Sequence, residues 1–91
     1  MKRRVRFQVR GRVQGVAFRA AARDVAHRLG LRGFIRNLPS GAVEGEAEGE
    51  ASAVDAFLAH CQMGPPGARV DSFSVDDVTL DGALPPFEIR R

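Results

Sequence analysis

Between Arg10 and Phe18 the apolar pattern of the chain changes period, and this change constrains the fold more than any other feature. Before it, Val5, Phe7 and Val9 alternate with Arg6, Gln8 and Arg10, the period of two expected of a strand with one buried face. After it, Phe18, Ala22, Val25 and Leu29 fall three and four apart, the stripe of an amphipathic helix, and Gly30 supplies a stop. The same succession then recurs. Leu31 to Asn37 reads as a strand and Pro39-Ser40-Gly41 as a turn. In the next strand Val43, Gly45 and Ala47 share one face and Glu44, Glu46 and Glu48 the other. A second helix begins near Ser52, buries Val54, Phe57, Leu58 and Cys61, and ends at Gly64-Pro65-Pro66-Gly67. Val70 to Leu80 reads as a long strand whose apolar phase shifts at Asp76-Asp77, which predicts a bulge or break there. A short strand from Phe87 to Ile89 closes the chain.

The order is β-α-β-β-α-β with a small C-terminal strand, and 91 residues suit one domain, residues 1–91, with a single core. Two helices cover one face of a four-stranded antiparallel sheet, so the predicted fold is α+β, of the ferredoxin-like split βαβ kind. In that topology the first and third strands are neighbours. Arg4, Arg6 and Arg10 then share the open face with Glu44, Glu46 and Glu48, a favourable match of opposite charges. RNA-recognition modules of this topology stack bases on aromatic residues of the open face. Here Phe7 and Phe73 are assigned to the core, so that function is disfavoured and no nucleic-acid partner is expected.

No apolar run approaches the length of a membrane span, and no membrane partner is expected. The basic start Met1-Lys2-Arg3-Arg4 is followed by strand alternation rather than the apolar core of a signal peptide, so a cytoplasmic location is expected. Cys61 is the only cysteine, which rules out an internal disulfide, and no Cys/His cluster has zinc spacing. No metal and no cofactor are expected. The net charge of +3 is carried almost wholly by Arg, a residue suited to bidentate contact with phosphate or carboxylate.

The chemistry concentrates at the strand-to-helix junction Gly11-Arg12-Val13-Gln14-Gly15-Val16-Ala17-Phe18-Arg19. Two glycines allow a tight loop whose successive N–H groups point inward as an anion nest. The helix that follows offers its unpaired N–H groups and the positive end of its dipole. No Gly-Lys-Ser/Thr follows, so this is not a nucleotide-binding P-loop. Arg19 falls in the first helical turn, where a cation opposes the dipole at a cost of roughly 0.3–1 kcal/mol. A bound anion would offset that cost, whereas a plain surface arginine would merely tolerate it. Asn37, before Pro39, reads by itself as a turn residue.

The run from Gly11 to Arg19 resembles the signature of the acylphosphatase family, Gly-x-Val-Gln-Gly-Val-x-Phe-Arg. A second family motif, Gly-x-x-x-Asn-x-x-x-Gly-x-Val, is matched by Gly33, Asn37, Gly41 and Val43, and the likeness continues through Gly64-Pro65-Pro66-Gly67-Ala68 to Phe87-Glu88-Ile89. The resemblance implies metal-independent hydrolysis of the carboxyl–phosphate bond of acyl phosphates. It implies that Arg19 binds the phosphoryl group, that the backbone of Arg12, Val13, Gln14, Gly15, Val16 and Ala17 surrounds the other oxygens, and that Asn37 positions the attacking water. The implied ligands are a small acyl phosphate and inorganic phosphate, and a monomer is expected. Two positions depart from the family's habits. A larger residue is common where Ala17 stands, and an acidic one is often found where Ser40 precedes Gly41.

Other polar residues are read more plainly. His27, beside Asp24 and Arg28, is expected to be solvated. His60 and Cys61 are adjacent on a helix and face different directions, so they make no nucleophile–base pair. Cys61 reads as a small core residue, and the glutamate row as solvated charge. Arg12 is expected to point to solvent, where it attracts anions. The alternative function is a non-catalytic module that senses phosphate-like anions.

Overall fold

In the computed structural model, which describes residues 1–91, the chain runs β1 (Lys2–Arg12), α1 (Phe18–Arg28), β2 (Arg32–Asn37), β3 (Val43–Glu50), α2 (Ala51–Met63), β4 (Arg69–Asp77) and β5 (Glu88–Arg90). The sheet order is β4-β1-β3-β2-β5. The first four strands pair antiparallel, and β5 extends the sheet parallel to β2, so the whole sheet is mixed. Both helices lie on one face, α1 over β2 and β5 and α2 over β1, β3 and β4. This is the ferredoxin-like α+β arrangement, with the C-terminal strand forming one edge.

The core follows from the alternation. Val5, Phe7 and Val9 of β1, Ile35 of β2 and Val43 and Ala47 of β3 are buried beneath Phe18, Ala22 and Ala26 of α1 and Val54, Phe57 and Cys61 of α2. Phe57 links two aromatic neighbours, with its ring centroid 5.5 Å from that of Phe7 and 5.4 Å from that of Phe87. Gly45 sits between Phe7 and Ile35 in register, and a Cβ there would stand 2.7 Å from Phe7 Cζ. The missing side chain therefore makes room for the Phe7 ring. At the end of α1, Leu31 N donates to Ala26 O and Gly30 N to His27 O, with Gly30 at φ 70°, so the glycine stop is a Schellman-type closure.

The charge match between β1 and β3 is realised as Arg4–Glu48 and Arg6–Glu46 pairs. Glu44 instead pairs with Arg36 of β2, because its neighbour on β1 is Gln8, and Arg10 stands beside Ser72 of β4.

Three expectations need correction. The bulge of β4 lies at Asp71, which the register skips between Arg10↔Ser72 and Gly11↔Val70, whereas the break expected at Asp76-Asp77 is where the strand ends. The phase shift is the three-residue step from Val70 to Phe73, both packed on the core. The bulged backbone closes on Gly11, where a Cβ would stand 2.8 Å from Asp71 N. Next, β4 ends at Asp77 rather than Leu80, because the segment after Val78 crosses the open face. There Arg4 donates to the carbonyls of Asp81 (2.8 Å) and Gly82 (2.9 Å), and Gly33 N donates to Pro85 O (2.8 Å). Arg4 is thereby only 7% exposed. Finally, His27 is exposed but not merely solvated; its Nε2 hydrogen-bonds the Phe87 carbonyl at 2.8 Å and ties α1 to the C-terminal segment.

Candidate active site

The loop between β1 and α1 is pinned by buried side chains at both ends, Val13 (1% exposed) and Phe18 (2%). Between them the sign of φ alternates. Gly15 at 75° and Ala17 at 60° are left-handed, while Gln14 and Val16 are not. Successive residues of opposite hand turn their N–H groups toward one side, which is the construction of an anion nest. Ala17 is the only non-glycine residue with positive φ, and it caps α1 without any side-chain hydrogen bond. A left-handed alanine costs roughly 1 kcal/mol relative to glycine.

Of the backbone hydrogen bonds made in turns, loops and caps, none is donated by residues 13–20. The loop and the first turn of α1 thus present a set of N–H groups with no acceptor in the chain, at the positive end of the helix dipole. Arg19, the second residue of α1, is half-buried. Its guanidinium engages no carboxylate or carbonyl, unlike those of Arg3, Arg4, Arg6, Arg32, Arg36, Arg69 and Arg90. Arg12, the last residue of β1, is exposed and equally unengaged, beside Arg69 on β4. Positive charge therefore stands unpaired at both ends of the loop.

Asn37 is the last residue of β2, opposite Val43. Its Oδ1 is buried and has no hydrogen-bond donor in the chain, a state that in a folded protein calls for a partner. Because β1 and β2 each run antiparallel to β3, they are parallel to each other, and their C-terminal ends lie at one edge of the sheet. Gln14 joins the two ends: its Nε2 donates to Leu38 O at 2.9 Å and to Ala42 O at 3.0 Å. The loop that leads to Arg19 and the turn that follows Asn37 are thus in direct contact. Sequence reasoning counted Gln14 for its backbone alone and missed this; a glutamine held between two glycine-containing turns was the available signal.

Ser40 lies in that turn, where its Oγ accepts from Ala42 N at 3.4 Å. Outside the site, burial pushes the Cys61 thiol up to about 12. No three His, Cys, Asp or Glu side chains are brought together. The largest surface hollow, about 290 Å³, is lined by Met1, Arg4, Ala51 and Leu80 among others, at the end of β1 remote from the loop. Its arginines are paired, and it presents no unsatisfied donor set of the kind that the loop has. One aromatic was overlooked on the open face: Phe34 is half-buried there, with the Arg90 guanidinium 4.1 Å above its ring.

Comparison with known proteins places this arrangement. The acylphosphatase family pattern matches residues 5–89. The acylphosphatase of Anaeromyxobacter dehalogenans is 55% identical over 87 residues, covering 96% of this chain and 94% of that protein. The crystal structure of the acylphosphatase from Bacillus subtilis superposes with a TM-score of 0.92 at 35% identity, covering both chains completely. The structure of an acylphosphatase from Coxiella burnetii gives 0.90 at 31% identity, over 98% of this chain and 93% of the other.

Proposed function

The chain belongs to the acylphosphatase family, a family of hydrolases, and from that premise we propose how its own residues cleave the carboxyl–phosphate bond. The N–H groups of the loop from Arg12 to Ala17 and the Arg19 guanidinium hold the three terminal oxygens of the phosphoryl group. The Asn37 amide orients a water in line with the bond to the acyl oxygen. A new bond forms between the water oxygen and phosphorus as the phosphorus–oxygen bond to the acyl group breaks. The carboxylate leaves with the electron pair, and a phosphoryl oxygen takes the proton of the water.

Few groups are needed. The leaving carboxylate belongs to an acid of pKa about 4, so it departs without a proton donor. A loose phosphoryl transition state needs positioning and charge stabilisation more than covalent help. Fixed N–H dipoles and one guanidinium supply that stabilisation. Asn37 carries no charge and abstracts no proton; it can only direct the water. The observation that carries the reading is the alternation of hand along the loop, which leaves a row of N–H groups without acceptors next to an unengaged arginine. The same reading takes the acyl phosphate and inorganic phosphate as ligands and the protein as a metal-independent cytoplasmic monomer. No helix is long and apolar enough to cross a membrane.

The test is hydrolysis of benzoyl phosphate with chelator present, in water enriched in heavy oxygen. The label is expected in the phosphate, and activity is expected to collapse in Arg19→Ala and Asn37→Ala while both remain folded. Label in the benzoate, or a trapped phosphoenzyme, would overturn the mechanism. An inactive wild type that phosphate still protects from unfolding would leave the anion-sensing function in its place.

A further inference from the structure

We infer that the Gln14 side chain is a positioning residue that sets the distance between the phosphate cradle and the water directed by Asn37. The inference rests on the reading above and adds a residue that acts through another.

The loop and the Asn37 turn leave the C-terminal ends of β1 and β2, which are not neighbours; β3 runs between them. No backbone hydrogen bond joins residues 13–17 to residues 38–42. The two bonds from Gln14 Nε2 are the only hydrogen-bonded link between these segments. Both amide hydrogens are committed to it, so the amide nitrogen is not a ligand for phosphate. The accepting carbonyls are also those that close the turn: Leu38 O accepts from Gly41 N at 3.0 Å, and Ala42 O from Leu38 N at 2.8 Å. Each carbonyl thereby uses both of its lone pairs. A third group, 24 residues away in sequence, locks the turn that begins immediately after Asn37. The chemistry of the position is narrow. Glutamate has the length without the donors, and asparagine has the donors but is one methylene shorter.

Phosphate is held on one side of this link, by the loop and Arg19, and water on the other, by Asn37. Loosening the link leaves phosphate binding intact and lets the water drift from the line of attack. Reacting atoms must lie about 3–3.5 Å apart, and a misplacement of about 1 Å costs on the order of a hundredfold in rate. The loss therefore belongs in kcat.

Gln14→Met preserves the length and removes both donors, and each carbonyl keeps its backbone partner. Expected is a fall in kcat on benzoyl phosphate of about ten- to a hundredfold, with the inhibition constant of inorganic phosphate changed by less than about threefold. In the Asn37→Ala background the same substitution is expected to cost less than about threefold, because the group it positions is gone. In Gln14→Glu, kcat is expected to recover partly as pH falls and the carboxyl becomes an O–H donor, a limb absent from the wild-type profile; this second variant serves should Gln14→Met fold poorly. Equal losses in both backgrounds, or a loss wholly in phosphate affinity, would overturn the inference and make Gln14 part of the cradle. Full activity of Asn37→Ala alone would instead sink the reading beneath it.

Discussion

Replacing Arg19 by methionine is expected to make the free protein more stable and nearly inactive at once. Arg19 is the second residue of α1, engages no acidic group, and has Arg23 one turn ahead on the same face. Methionine keeps the half-buried stem and has about the same helix propensity. What changes is the charge. Relief of the unfavourable dipole interaction contributes roughly 0.3–1 kcal/mol, and loss of the like-charge pair with Arg23 about 0.2–0.5 more. A gain of about 0.5–1.5 kcal/mol is therefore expected in urea unfolding at low salt without phosphate. Phosphate then cancels or reverses the ranking. At ten times its dissociation constant, a ligand of the native state stabilises the wild type by about 1.4 kcal/mol, whereas the variant is expected to gain almost nothing. Hydrolysis of benzoyl phosphate is expected to fall about 10²–10³-fold, as when one preorganised donor of a charge-stabilising site is removed. The reasoning is refuted if Arg19→Met lowers stability in phosphate-free buffer by 1 kcal/mol or more, since Arg19 would then be a structural residue. It is refuted equally if phosphate protects both proteins to the same extent.

Other positions give independent checks. Arg4→Ala strands Glu48 and the carbonyls of Asp81 and Gly82; a loss of about 3–5 kcal/mol is expected in urea melts, with amide exchange rising first in residues 78–86, and a loss under 1 kcal/mol would show that solvent replaces the pair. Gly45→Ala drives a methyl group against the Phe7 ring and the Phe34 carbonyl; about 2–3 kcal/mol of destabilisation is expected, and a neutral result would mean that the β3 backbone yields. For Cys61 the folded pKa is raised, from 9.0 to about 12, so the stability tied to its neutral thiol is complete below about pH 9 and is lost as pH rises toward 12. Between pH 8 and 10.5 the wild type is expected to lose about 2 kcal/mol more than Cys61→Ala; parallel curves for the two proteins would contradict the burial. Ala17→Gly removes the left-handed strain but frees the loop in the unfolded chain. Stability within about 0.5 kcal/mol of wild type is expected, with weaker phosphate binding, and tighter binding would mean that the strain hinders the cradle.

The alternation of Val5, Phe7 and Val9, the helical stripe beginning at Phe18 and the glutamate row of β3 were sufficient to place the elements and the faces they bury, because side-chain period is a local property of strand and helix. The glycines flanking Gln14 and the arginine in the first turn of α1 marked the candidate anion site for the same reason, since nest geometry and helix termini are built from consecutive residues. The resemblance to a known family, not periodicity, supplied the role proposed for Asn37. Tertiary structure decided whatever depended on partners distant in sequence. The apolar step from Val70 to Phe73 stood in the sequence, but that it marks a bulge at Asp71 shows only in the pairing with Arg10 and Gly11 on another strand. Arg4 was expected on an open face, but the segment carrying Asp81 and Gly82 returns to cover it. His27 found the Phe87 carbonyl only because β5 packs beside α1. Gln14 is the sharpest case. Its place in the loop is written in the sequence, but the two carbonyls it joins belong to a turn brought alongside by a crossover connection, and no local pattern records that meeting.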